Sequence, residues 1–135
     1  MPMNAEPSCI ELLVPSDGRL LAAVEMAVSH ACERAGLSPG DCRDLNGAVS
    51  EICEQTFGIA NRNGNRDAKL RVLIRDFDAR VEVSLERSDG GPVAPSTGSG
   101  AASQQHFKVD GVNHEMRDGR ARTVIVKQRH ATTRR

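Results

Sequence analysis

The 135-residue chain has no tryptophan, no tyrosine and only three phenylalanines. Almost nothing is therefore available on which unpaired bases would stack. The 18 basic and 18 acidic side chains also cancel, which removes the electrostatic footprint of a nucleic-acid binder. No direct nucleic-acid partner is expected. Long apolar runs are missing as well. No stretch approaches the roughly 18 apolar residues of a membrane span, and the opening MPMNAEPSCIE has no basic segment leading into an apolar one. These absences predict a cytoplasmic protein without a membrane partner. There is no CxxC pair: the cysteines stand at 9, 32, 42 and 53 without regular spacing, a pattern of reduced, buried thiols. His30 with Cys32 makes an isolated HxC, too few donors for zinc. A single domain of this length buries roughly two-thirds of its unfolded surface and needs neither disulfide nor metal to fold. With so few aromatics, its core has to be aliphatic.

Periodicity supplies the elements. Ile10 to Val14 is an apolar run of strand length ended by Pro15, and Ser16-Asp17-Gly18 offers helix-capping chemistry. From Arg19 to Ala35, Leu20, Val24, Ala27, Val28, Ala31 and Ala35 recur at helical spacing, giving an amphipathic helix with a thin, small-residue face closed by Gly36. Ser38-Pro39 opens a second helix, with a capping hydroxyl before a proline at its first position. There Leu45, Ala48, Val49, Ile52, Cys53, Thr56, Phe57 and Ala60 form an unbroken stripe, stopped by the segment 61–65. Period-two alternation then marks two half-buried strands, at Leu70, Val72 and Ile74 and at Val81, Val83 and Leu85, with Asp76-Phe77-Asp78 as a short hairpin link.

Residues 88–105 are rich in Gly, Ser and Pro and contain no Leu, Ile, Met or Phe, the composition of a flexible loop. Phe107 to Met116 has weak strand character, Asp118-Gly119 signals a turn, and Thr123 to Val126 is a strand. From Gly119 onward there are six Lys or Arg and no acid, so Lys127, Arg129, Arg134 and Arg135 belong to a basic, solvated tail, taken as 128–135 beyond the last strand. Helices followed by strands predict a single α+β domain over 1–135, a two-layer sandwich with helices on one face of a mostly antiparallel sheet.

Glu51 and Gln55 stand one helical turn apart beside the apolar stripe of the second helix. An acid and an amide at the edge of a cleft can position a water or hydroxyl and help to hold a hydrated cation, whereas the same pair alone is ordinary for a solvated helix edge. The parts that follow are a hairpin ending in Ser88-Asp89-Gly90-Gly91-Pro92, then Gly98-Ser99-Gly100, then a strand carrying Thr123.

In that order the chain resembles the histidine-kinase-like (GHKL, Bergerat-fold) ATPase domain, and within it the small anti-sigma-factor serine/threonine kinases. In that family a helix reading A-V-[ST]-E-x-x-x-N supplies a Glu that activates the attacking group and an Asn that ligates the magnesium of ATP. Here Ala48-Val49-Ser50-Glu51-Ile52-Cys53-Glu54-Gln55 matches the first half and has Gln in the Asn position. The next box, D-x-G-x-G, holds adenine. Aligning its last glycine on Gly91 puts Arg87 where the Asp stands, and taking Asp89 as the acid makes the spacing too short. A later G-x-G binds phosphates at its amides, and Gly98-Ser99-Gly100 keeps the glycines without the apolar helix that follows them in the family. The last strand looks like the family's, with Thr123 as the adenine-side threonine.

The resemblance implies Glu51 as the catalytic residue, Gln55 as a magnesium ligand through the nucleotide, and Asp89, Gly91, Gly98, Gly100 and Thr123 as cofactor-binding residues. ATP and Mg²⁺ are the implied cofactors if the chain is active. A sigma factor or a STAS-type anti-anti-sigma protein is the implied partner, and a homodimer the implied assembly, with the first helix and adjoining strand as self-association surfaces. Two other functions compete with a kinase: a non-catalytic protein-binding module on the same fold that has lost ATP binding, and an unrelated small α+β enzyme using Glu51 as acid or base. The altered magnesium and adenine motifs weigh against tight nucleotide binding.

Overall fold

In the computed structural model the described residues are 8–16, 19–62, 64, 67–93 and 107–129. They form β1 (Ser8–Pro15), α1 (Leu21–Ala35), α2 (Pro39–Arg62), β2 (Lys69–Phe77), β3 (Arg80–Arg87), β4 (Gly111–Arg117) and β5 (Arg120–Gln128). The five strands make one sheet in the order β1-β2-β3-β5-β4, with every neighbouring pair antiparallel. Both helices pack on one face, so the expected α+β sandwich is the observed architecture. Gly98, Gly100 and the tail beyond 129 fall outside the described residues.

Alternation decides which side chains meet the helices. Val72 pairs with Leu85 and Ile74 with Val83, and Val83 pairs in turn with Ile125; all five are essentially fully buried. Against them α1 sets Val24, Val28, Ala31, Cys32 and Ala35, and α2 sets Leu45, Val49, Ile52, Cys53 and Phe57. Cys32 and Cys53 are the buried thiols the helical stripes predict; Cys42 is half-buried, and Cys9, on β1, is exposed. Burial and, secondarily, the charge of Glu54 push the Cys53 thiol up to about 12, so it stays protonated and behaves as a small hydrophobe.

Several boundaries differ from the sequence reading. Helix α1 starts at Leu21, and its N-cap residue, Leu20, makes no side-chain cap bond. The capping chemistry appears instead at α2, where the Ser38 hydroxyl accepts from the Asp41 amide at 3.0 Å. Asp76 and Phe77 belong to β2, and the hairpin turn is Asp78-Ala79. Ala79 adopts φ 66° because its neighbours hold it there: its N–H donates to the Ala35 carbonyl at the end of α1, and its carbonyl accepts from the Arg129 amide. Strand β4 begins at Gly111, four residues later than the weak pattern starting at Phe107 suggests. Asp118 and Gly119, both at positive φ, make the tight turn into β5 as expected.

Lys127 corrects the picture of a solvated basic ending. Its side chain points to the helix face and is 4% exposed, with Nζ 2.5 Å from the Lys108 carbonyl and 3.6 Å from Asp41 at the start of α2. Across the sheet, Val81 pairs with both Lys127 and Asp76, and Asp76 accepts from Arg34 of α1 at 2.7 Å. This end of the sheet is therefore tied by ion pairs to the junction of the two helices. Removing one partner of a buried pair strands the other, whereas an apolar replacement of similar length removes the need for pairing. Asp41→Ala is expected to cost about 2 kcal/mol, more than Lys127→Met, in urea unfolding monitored by circular dichroism. The reverse order marks the contact as incidental.

Candidate functional site

Helix α2 starts above the Lys127 end of the sheet. The fourteen residue steps from Asp41 to Gln55 rise about 21 Å, comparable with the roughly 20 Å that β3 covers from Val81 to Arg87. Along this length α2 shows three faces. One is the buried stripe. A second meets α1, where Asn46 donates to the Ser29 hydroxyl at 3.0 Å and Ser50 to Glu25 Oε2 at 3.0 Å. The third carries Gly47 and Glu51 and opens into a groove of about 610 Å³, lined also by Glu25, Arg43, Asn46, Ser50, Glu54 and Phe107.

Phe107 shapes this groove. A Cβ built on Gly47 would lie 2.1 Å from the Phe107 ring, so the ring rests on bare helix backbone one turn before Glu51. A glycine inside a helix costs about 1 kcal/mol against alanine, and the close approach of the ring gives that cost a purpose. The sequence signal was an interior glycine on an otherwise well-formed helix, but its partner lies sixty residues away. Glu51 is half-buried and lines the groove, while Gln55, one turn further on, is exposed and does not. Among the described residues no group of three or more His, Cys, Asp or Glu side chains is arranged to hold a metal ion.

The other candidates gather at the far end of the sheet. Thr123 on β5 pairs with Leu85, two residues before Arg87 on the same helix-facing side of β3. Its hydroxyl is buried and lies 2.9 Å from His114 Nδ1 on β4. Beyond β3, Asp89 Oδ1 accepts from the Gly91 amide at 2.9 Å. Asp89 and Gly91 thus close a D-x-G turn. Arg87 does something else: Nε donates to Asp89 Oδ1 at 3.0 Å, Nη2 to Oδ2 at 2.6 Å, and Nη1 to the Pro92 carbonyl at 3.2 Å. Its side chain is 3% exposed.

Partial burial raises the Asp89 carboxyl, but the hydrogen bonds from Arg87 and the Gly91 amide, with the guanidinium charge, outweigh it and hold the group below its ordinary value. The implied nucleotide is tested by this turn. An acid that receives an adenine amino group has to present its carboxylate, and the glycine beneath has to leave room for the ring. Here the carboxylate is held by a bidentate guanidinium and the room over Gly91 is filled by it. The residues present do not fit an adenine base as they stand.

Another hollow, about 670 Å³, lies elsewhere, on the open face of the sheet among Glu11, Arg71, Glu86, Arg120 and Arg122. Charges alternate in sign there, as in the Arg71–Glu11 and Arg120–Glu86 pairs, which is the pattern of a solvated sheet face. None of the described candidates, Glu51, Gln55, Asp89, Gly91 and Thr123, lines that hollow, and α2 remains the candidate site.

With two helices on one face of an antiparallel sheet, an A-V-S-E helix and a D-x-G turn after the hairpin, the chain has the layout of a GHKL-like domain. No family model matches it. Two curated proteins named serine-protein kinase RsbW are similar to it: that of Bacillus velezensis at 25% identity and that of Bacillus subtilis at 24%, each over 104 residues. Each match covers 70% of this chain and 65% of the relative, so the chain spans just under two-thirds of the length of these proteins. Together with the fold, this similarity to serine-protein kinases agrees with the resemblance that the sequence motifs carry. No helix among the described residues is long and apolar enough to cross a membrane.

Two expectations follow from the geometry. Gly47→Ala should destabilise the native chain, because the new methyl meets Phe107, yet stabilise a Phe107→Ala background by about 1 kcal/mol through helix propensity; a double-mutant cycle in urea reads the change of sign. A carboxyl held below its ordinary value of 3.8 stabilises the fold above that pH and loses the contribution as pH falls through the native value. The stability gap between the native chain and Asp89→Asn should therefore be full at pH 6 and narrow below about pH 4, as read from urea midpoints.

Proposed function

We propose that the chain is an anti-sigma-type regulatory protein that acts by binding a protein partner, a sigma factor or a STAS-type anti-anti-sigma protein, without using adenine nucleotide. The observation that carries this reading is the Arg87–Asp89 pair over Gly91, which engages the acid that the kinase scaffold assigns to adenine. The similarity to serine-protein kinases supplies the regulatory class, and the turn after β3 argues against the phosphotransfer itself. Self-association is part of the same proposal, with Leu20 and Met26 on the α1 side and Leu13 on β1 as exposed apolar side chains on the elements concerned.

A second reading keeps the kinase and rests on Glu51, whose place on the groove of α2 suits a group that orients or deprotonates a partner's serine hydroxyl. In that reading Gln55 helps to hold Mg²⁺, as the family's asparagine does, with the carboxamide moved out by about 1 Å. Melting temperature with millimolar Mg-ADP or Mg-ATP separates the two. A ligand at a hundred times its dissociation constant adds about 2.7 kcal/mol, a shift of several degrees for a domain this size. No shift is expected, and a shift of several degrees overturns the nucleotide-independent reading. Glu51→Gln should leave the affinity for a STAS-type partner unchanged; loss of phosphotransfer to that partner on the same substitution would establish the kinase instead.

A further inference from the structure

Arg87 is an anomaly of its own strand. The preceding helix-facing residues of β3, Val81, Val83 and Leu85, are fully buried aliphatics, and an aliphatic would continue the series at 87. Arg87 is equally buried. Burying a guanidinium is costly unless its geometry and hydrogen bonds are good, so nothing in core packing calls for one here. All three of its nitrogens are instead directed at the next five residues: two at the Asp89 carboxylate and one at the Pro92 carbonyl. The planar group lies against Gly91 so closely that a Cβ there would come within 2.7 Å of Cζ and 2.9 Å of Nη1. The guanidinium is a flat, nitrogen-rich plate donating to a carboxylate above a bare glycine backbone, and in shape and donor pattern it occupies the turn as a purine edge would.

Beneath it the turn is otherwise formed. The Asp89 carboxylate is fixed by the Gly91 amide as well as by Arg87, so its orientation does not depend on the arginine alone. Thr123, opposite Leu85 on the neighbouring strand, carries its buried hydroxyl on the same face of the sheet, within hydrogen-bond distance of His114. We infer that Arg87 is a specificity-determining residue that closes a latent purine site built from Asp89 and Gly91, and that shortening this one side chain opens the site to an adenine base. The inference rests on the reading of the chain as a nucleotide-independent regulator on a kinase scaffold, and it names the residue responsible.

The test is a binding series with N-methylanthraniloyl-ADP as the fluorescent probe and unlabelled ADP and GDP as competitors, on the full chain. Arg87→Val continues the aliphatic series of β3 and removes the guanidinium from the Asp89 carboxylate. Arg87→Gln keeps a hydrogen-bonding chain for the Pro92 carbonyl without the charge, and it takes the place of the valine variant if that variant does not melt cooperatively. The expected result is a gain in ADP affinity of at least about tenfold over the native chain, because Asp89 can accept from the adenine amino group; guanine also offers donors to a carboxylate, its N1–H and 2-amino group, so a parallel gain for GDP supports a purine site. Arg87→Val combined with Asp89→Asn should lose the gain. A folded Arg87 variant with no gain, or a gain that survives Asp89→Asn, overturns the inference while leaving the proposed function standing. Native protein that already binds ADP as tightly as the Arg87 variants overturns both.

Discussion

One aliphatic layer holds the molecule together. With Phe57 the lone large aromatic in the core cluster, the space between sheet and helices is filled by Val, Leu and Ile from the strands and by Val, Ala, Leu, Ile and Cys from the helices. Side chains of this size make a thin layer, and α1 in particular approaches through Ala31, Cys32 and Ala35. Non-directional burial supplies the driving force but fixes no particular register of helix on sheet. Register comes from polar groups set at the ends of the strands, on the same face as the core. At one end Asp76 meets Arg34, and Lys127 meets Asp41 and the Lys108 carbonyl. At the other end Arg87 turns onto Asp89. The apolar layer is framed by ion pairs, each joining a core-facing strand position to a different piece of chain.

The two ends differ in what their pairs connect. Asp76 and Lys127 bind the sheet to both helices, so they fix the scaffold. Arg87 binds only the turn that follows its own strand, so it fixes no helix and shapes local surface alone. This is why the same type of contact is structural at one end and selective at the other. Glu51, between the two ends on α2, is positioned by the scaffold and neighboured by Phe107, whose ring on Gly47 brings the segment before β4 against the helix.

Much of the fold was legible in the sequence because the signals were local. The stripe from Leu45 to Ala60 and the alternation at 70–74 and 81–85 are read from period alone, and burial follows them residue by residue. Asp118-Gly119 and Ser38-Pro39 are turn and cap chemistry that need no tertiary partner. What was not legible depended on distant chain. Lys127 looked like part of a basic tail because its partners, Asp41 and Lys108, are set by the fold. Gly47 gave no hint of Phe107. In the sequence Arg87 is only the residue that one alignment puts where the family's Asp stands, because alignment counts positions, while its contacts depend on the direction in which a long side chain bends after the strand ends. Glu51 was singled out by residue type and spacing, and the structure puts it on a groove without bringing Gln55 into the same lining.

The strand order carries a consequence for how the chain is made. Strand β5, the last of the described elements to leave the ribosome, is not an edge: it inserts between β3 and β4. Until it arrives, β3 has an unpaired side, the Lys127 pair is unmade, and the Ala79 carbonyl lacks the Arg129 amide that helps to hold the β2–β3 turn. The nascent chain therefore presents an open β3 edge until β5 emerges, a feature that invites pairing with other chains. The alternating charges on the outer face of the β2–β3 hairpin, Arg71, Arg75, Glu82 and Glu86, are well placed to keep that waiting intermediate apart from its neighbours.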